Sequence, residues 1–113
     1  ECETIAKTMN QLELESGKFR AITADMCTFR SDADIVINTS FEHITQEQYD
    51  VWLSRMFDDQ LLVLQSNDYA IDEHVRIANN LEEFKTQSHL SKVVYAGALE
   101  LPKYKRFMII GKK

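Results

Sequence analysis

The feature that most constrains this chain is a pair of short, continuous apolar runs, at Asp34–Thr39 and Leu61–Gln65. Continuous apolar runs of this length are typical of strands that are buried on both faces of a sheet. Between the two runs, Thr45 and Gln48 form a capping box, which predicts the start of a helix. We therefore expect two parallel strands that are joined by a helix.

The rest of the chain predicts further elements around this unit. One helix begins at Cys2 and ends at Gly17, and another begins after Asn80. Further strands are predicted at Phe19–Ala24, Lys92–Leu101 and Lys105–Ile110. The last two strands form an antiparallel hairpin. Strands that alternate with helices predict a single α/β domain over residues 1–113, with a mostly parallel sheet of about five strands and helices on its faces.

The composition argues against several classes of function. The three glycines, Gly17, Gly97 and Gly111, lie too far apart for a glycine-rich phosphate loop. The net charge is −5 and the one basic run is Lys103–Lys113, which gives no strong signal for nucleic acid. No window of about 18 apolar residues is present, so we expect no membrane-spanning segment. Two cysteines in a domain of this size indicate a reducing, cytoplasmic location.

Polar residues follow three of the predicted strands at the points where these strands end. They are Asp25–Met26, Asn38–His43 and Gln65–Asp68. Because ligands of open α/β sheets bind at the carboxyl ends of parallel strands, these residues are candidates for a binding site. The alternative is that they begin loops, where such side chains satisfy nearby backbone groups.

Five segments together form a pattern that extends over nearly the whole chain: Cys2–Ala6, Ala24–Met26, Asp34–His43, Leu62–Asn67 and Tyr104–Gly111. In their order and spacing they resemble the class I, Rossmann-like S-adenosylmethionine-dependent methyltransferases, from the helix after the family's second strand to its closing hairpin. The resemblance implies an incomplete Rossmann-like methyltransferase sheet. It also implies transfer of a methyl group from S-adenosylmethionine to an acceptor, which is a small molecule, a protein or a base.

The resemblance implies cofactor-binding roles for four residues. Asp25 matches an acidic residue that lies beside the adenine and accepts from its exocyclic amine, and the Met26 backbone lies nearby. Asn38 and Thr39 match the stretch that passes the methionine part of the cofactor. From the residues alone, Asp25 is equally compatible with a polar residue that ends a strand.

Glu42 and His43 follow this stretch and, by the same resemblance, face the substrate as candidate catalytic residues. Histidine titrates near neutral pH and a carboxylate can orient it, so the pair suits acid–base chemistry. The alternative is a surface loop before a helix, with the Glu42 carboxylate near the positive end of the helix dipole.

The chain departs from the family pattern at its start. The first strand, the glycine-rich cofactor loop and the acidic residue that binds the ribose have no counterpart here. We therefore expect a truncated, C-terminal portion of a methyltransferase that binds the cofactor weakly or not at all by itself. The strand at Phe19–Ala24 then lacks its neighbour, and three pairings are open: with Asp34–Thr39, with a second copy, or with part of a longer protein. We expect a homo-oligomer.

A second class of function stays open beside the enzyme. It is a non-catalytic, oligomeric α/β interaction module without cofactor binding, and the missing glycine loop favours it.

The histidines and cysteines do not predict a metal site. None of His43, His74, His89, Cys2 and Cys27 belongs to a ligand pair with spacing such as C-x-x-C or H-x-x-x-H.

Overall fold

Four strands form one mixed sheet in the order β1–β2–β4–β3. They are β1 (Ile35–Asn38), β2 (Leu61–Asn67), β3 (Lys92–Glu100) and β4 (Lys105–Lys112). β1 and β2 are parallel, whereas β4 is antiparallel to both β2 and β3. The structure is a computed structural model that describes all of residues 1–113.

The predicted sheet of about five mostly parallel strands is therefore wrong. The last strand, β4, lies between β2 and β3, so only one pair of neighbouring strands is parallel. The reason is burial: Phe107 and Ile109 of β4 are buried, whereas β3 contains no buried residue. The more apolar strand of the hairpin takes the central position, where a helix covers it.

The predicted strand at Phe19–Ala24 does not form, and the sheet has one strand fewer as a result. This segment lies beside the first helix, where the Thr23 amide donates to the Glu3 carboxylate over 2.7 Å. Hydrogen bonds from Lys7 and from Thr23 lower the pKa of Glu3 to about 2. Because the pKa is depressed, this contact stabilises the fold above pH 4.5 and is lost as the pH falls toward 2.

Four α-helices accompany the sheet: α1 (Cys2–Met9), α2 (Gln11–Glu15), α3 (Gln46–Ser54) and α4 (Leu81–Ser88). The predicted caps are confirmed, since Thr45 and Gln48 form both bonds of a capping box and Asn80 accepts from the Glu83 amide. Gly17 ends the first helical region with a φ of 77°, a left-handed conformation that glycine adopts at little cost. None of the four helices has the length and the apolar character that spanning a bilayer requires.

The core lies on one face of the sheet. Tyr49, Trp52 and Phe84 of the helices pack with buried side chains of β2 and β4, which alternate along both strands. The Tyr49 hydroxyl donates to the Ser88 carbonyl over 2.6 Å, which links α3 to the end of α4. Burial raises the pKa of the Tyr49 phenol, so this hydroxyl remains a donor at neutral pH.

The opposite face of the sheet has no helix packed on it, so the prediction of helices on both faces is also wrong. Ile35, Ile37, Tyr95 and Leu99 point to this face and are 52–63% exposed. The run at Asp34–Thr39 is therefore an edge strand with one covered face, not a strand buried on both faces. α1 and α2 contain no buried residue and leave this face open.

Glycine is required at position 111, where β4 lies against the backbone of Lys92. A Cβ on Gly111 would overlap the backbone carbonyl oxygen of Lys92, which cannot rotate away. Gly97, in the facing strand, lies under the Tyr95 ring, and a Cβ there would meet a side chain that is able to move. The two glycines of one hairpin thus differ in what a methyl group would displace.

We expect Gly111→Ala to lower the free energy of unfolding by about 1–3 kcal/mol, because the added methyl group forces the backbone apart. Gly97→Ala is the matched control and is expected to cost clearly less, since the Tyr95 ring can swing toward solvent. Urea denaturation followed by circular dichroism measures both. Equal costs for the two variants would contradict the close approach at Gly111.

Candidate functional site

A short 3₁₀ turn after β1, Phe41–His43, carries the centre of the candidate site. The chain bends there because the Asn38 side-chain oxygen accepts from the Ser40 amide over 3.0 Å. Phe41 is fully buried, and its ring lies 4.6 Å from that of Tyr49 and 4.8 Å from that of Phe84. Burial of Phe41 between α3 and α4 thus fixes where the next two residues point.

Arg76 holds this turn from the other side. Its guanidinium lies 3.7 Å from the Phe41 ring centroid and donates to the Phe41 carbonyl and to the Gln46 side chain. The amides of Val75 and Arg76 both donate to the Glu42 carbonyl. Burial lowers the pKa of Arg76 to about 10, so the guanidinium stays charged at neutral pH.

Glu42 is a buried carboxylate, with 5% of the residue exposed. Its Oε1 accepts from the Asn67 side-chain amide over 2.9 Å, whereas its Oε2 has no hydrogen-bond partner. Asn67 ends β2 and is itself buried, and its Oδ1 accepts from the Tyr69 amide. The carboxyl ends of β1 and β2 therefore meet at this pair, as parallel strands allow.

Two histidines lie next to this carboxylate. The rings of His43 and His74 meet edge to face with their centroids 4.8 Å apart. The His43 Nε2 atom lies 4.0 Å from the Glu42 Oε1 atom, and the His43 side chain is 47% exposed. One ligand atom from each of Glu42, His43 and His74 lies within 4.8 Å of the others. The arrangement forms a cluster of two imidazoles and one carboxylate that is open to solvent on the His43 side.

Backbone carbonyls orient both imidazole rings. His43 Nδ1 lies 3.1 Å from the Glu73 carbonyl oxygen, and His74 Nδ1 lies 2.6 Å from that of Tyr69. A carbonyl oxygen only accepts, so the hydrogen-bond network assigns the proton of each neutral ring to Nδ1. The unprotonated Nε2 atoms can then accept a proton or bind an electrophile.

A separate open cleft lies beside β1, with a volume of about 280 Å³. Its lining residues are Met26, Val36, Ile37, Asn38, Thr39, Ser40 and Trp52. Three of the four residues predicted to bind cofactor, Met26, Asn38 and Thr39, are thus together. Asp25 does not line the cleft, and its carboxylate accepts from the Cys27 amide over 2.8 Å within its own turn.

The predicted groups fall into two neighbouring places joined by the loop after β1. Met26, Asn38 and Thr39 lie at the cleft, whereas Glu42 and His43 lie in the cluster with Asn67. Gln65–Asn67 belong to β2 itself and do not begin a loop. Asp68 accepts from the Lys105 amide and joins β2 to β4.

No sequence pattern indicates that Arg76 and Tyr69 belong to the site or that His74 lies beside His43. His74 lies far from His43 along the chain, so ligand spacing cannot detect the pair. The Tyr69 ring stacks on Tyr104 with centroids 5.3 Å apart, which ties the segment before His74 to the hairpin. The polar run at Gln65–Asp68 was the one signal that pointed to this side of the site.

No protein-family model matches the chain, and no curated protein matches it significantly.

The bond between Glu42 and Asn67 predicts strong coupling between the two side chains. We expect Asn67→Ala to lower the free energy of unfolding by about 1–3 kcal/mol, because it leaves a buried carboxylate oxygen without its donor. In the Glu42→Gln background, where no charge needs a donor, Asn67→Ala is expected to cost less. A double-mutant cycle by urea denaturation measures the coupling. Additive costs would show that the pair carries no specific interaction.

Proposed function

We propose that this chain is part of a class I S-adenosylmethionine-dependent methyltransferase and carries the methionine side of its cofactor site. The observation that supports this most directly is the cleft beside β1, which brings Met26 together with Asn38 and Thr39. These residues come from two segments that the resemblance assigns independently to the cofactor. The closing hairpin β3–β4 is a further feature that the resemblance implies and that is present in the fold.

The cleft is open, has a volume of about 280 Å³ and combines apolar with polar lining residues. Met26 and Trp52 supply apolar surface, and Asn38 and Thr39 supply polar groups. Such a cleft suits one portion of S-adenosylmethionine, with the remaining surface supplied by further protein.

In the proposed reaction, a nucleophile of the acceptor attacks the activated methyl group in line with the departing sulfur. The protein contributes chiefly by positioning the reactants and excluding water. Glu42 and His43 follow the cleft directly along the chain. The exposed His43 ring faces the acceptor, and the buried Glu42 carboxylate lies 4.0 Å from its Nε2 atom. The unprotonated His43 Nε2 is available to take the proton that the acceptor releases.

Both cysteines are free thiols, which supports a reducing, cytoplasmic location.

The cofactor cleft is tested by titrating S-adenosylhomocysteine into the ¹⁵N-labelled chain. We expect weak binding, with a dissociation constant of about 1 mM, and shifts of the Met26, Asn38 and Thr39 amides. Thr39→Trp fills the rim of the cleft and is expected to abolish these shifts. Thr8→Trp, at an exposed position of α1, is the matched control and should leave them unchanged. Binding that survives Thr39→Trp would contradict the placement of the site.

A second candidate function is the oligomeric interaction module, and the uncovered sheet face favours it. Ile35 and Ile37 are 56% and 63% exposed on β1, whose outer edge has no strand paired with it. An unpaired edge next to exposed apolar side chains is a site for pairing with another strand. Two copies related by a two-fold axis can pair β1 with β1 and join their sheets.

We expect the chain to self-associate at micromolar concentration and Ile35→Lys to weaken this association at least tenfold, because a lysine at the edge opposes strand pairing. Met9→Lys, at a 79% exposed position of α1, is the control and should associate like the unmodified chain. Sedimentation velocity over a concentration series measures both. If the unmodified chain stays monomeric over the whole concentration series, the oligomeric module is ruled out.

A further inference from the structure

We propose that Glu42, His43 and His74 bind a divalent transition-metal ion of the zinc class through one carboxylate oxygen and two imidazole nitrogens. The three side chains come from the 3₁₀ turn and from the segment between β2 and α4. One ligand atom of each lies within 4.8 Å of the other two. Imidazole nitrogen with carboxylate oxygen is a donor set that Zn²⁺ and its neighbours in the first transition row accept.

Each ring keeps one nitrogen free for a metal ion. Both histidines use Nδ1 to donate to a backbone carbonyl, of Glu73 for His43 and of Tyr69 for His74. Metal-binding histidines commonly donate their second ring N–H in this way, which fixes the ring and makes its other nitrogen more basic. The lone pair of Nε2 is therefore available in both rings.

Glu42 provides independent support for a cation at this place. It is 95% buried by residue exposure, and its Oε2 atom has no hydrogen-bond partner. A buried carboxylate with a partnerless oxygen is costly, and a cation bound at the carboxylate offsets that cost. The Asn67 side-chain amide donates to the other oxygen over 2.9 Å and so orients the carboxylate, as hydrogen-bond donors to ligating carboxylates do at metal sites.

The cluster needs only a small closure to coordinate an ion. Ligand atoms around a tetrahedral zinc lie about 3.3 Å apart when metal–ligand distances are about 2.0 Å. The His43 Nε2 to Glu42 Oε1 distance is 4.0 Å and the ligand atoms of all three side chains lie within 4.8 Å of one another, so relative shifts of up to about 1.5 Å bring the set together. His43 is 47% exposed and can make this movement. Three protein ligands leave the fourth position to water on the solvent side.

The inference stands on the cluster alone. An ion on His43 Nε2 would replace the proton-accepting role that the proposed methyl transfer gives this atom, so the two roles are alternatives. The cofactor cleft and the cluster share no lining residue. Failure of S-adenosylhomocysteine to bind and failure of metal to bind are therefore separate results.

The test is titration of Zn²⁺ into the full chain by calorimetry, with Co²⁺ as a spectroscopic probe. Cys2→Ser and Cys27→Ser are introduced together, so that free thiols do not contribute ligands. We expect one ion per chain, and a Co²⁺ absorption spectrum of nitrogen and oxygen ligands in four- or five-coordinate geometry. His43→Asn, His74→Asn and Glu42→Gln should each weaken binding at least tenfold.

His89→Asn is the matched control. His89 also touches a carboxylate, since its Nδ1 lies 2.8 Å from an Asp50 oxygen, and its side chain is 50% exposed. It has a left-handed backbone with φ of 50°, which asparagine tolerates. This variant should bind Zn²⁺ like the background chain. Circular dichroism of each variant separates loss of a ligand from loss of the fold.

Two results would overturn the proposal. One is the absence of stoichiometric Zn²⁺ binding by the folded background chain. The other is binding that His43→Asn and His74→Asn leave unchanged, or that His89→Asn weakens as much as they do. In either case the two histidines would be a hydrogen-bonded pair without a metal.

Discussion

The burial of Phe41 is the interaction on which the candidate site depends. Its ring packs between Tyr49 of α3 and Phe84 of α4, while the Arg76 guanidinium covers it at 3.7 Å. A buried aromatic ring of this size contributes several kcal/mol, which is enough to hold a short turn that has no regular hydrogen-bond ladder. This 3₁₀ turn then places Glu42 against Asn67 and His43 against His74. Packing in the core thus fixes polar geometry at the surface.

The sheet has one covered face and one open face, and this asymmetry connects the two proposed functions. On the covered face, the helices bury the alternating apolar side chains of β2 and β4. The open face and the free edge of β1 leave apolar side chains in water. A methyltransferase completed by further protein and a module that pairs with its own copy would both cover this surface. They differ in whether the cleft at Asn38 and Thr39 binds a cofactor.

Local signals predicted the elements well and the sheet poorly. The capping box at Thr45, the cap at Asn80 and the hairpin depend on residues within a few positions of each other, and all three are present. The strand at Phe19–Ala24 failed because a strand needs a neighbour to satisfy its backbone, which no local pattern supplies. The position of β4 in the sheet depended on burial against α4, which is also not local.

The sequence by itself determined which segments are helical, apart from the break at Asn10 that divides the first predicted helix into α1 and α2. It also determined where four of the five predicted strands lie, and that polar residues follow β1 and β2. It also indicated Glu42, His43, Asn38 and Thr39 as candidate site residues. Only the tertiary structure decided that His74 lies beside His43, that Asn67 holds the Glu42 carboxylate, and that Asp25 does not line the cleft. The physical reason is that periodicity and caps act over one or two turns of chain. Contacts between distant segments depend on how the buried faces pack, and a single sequence does not display that packing.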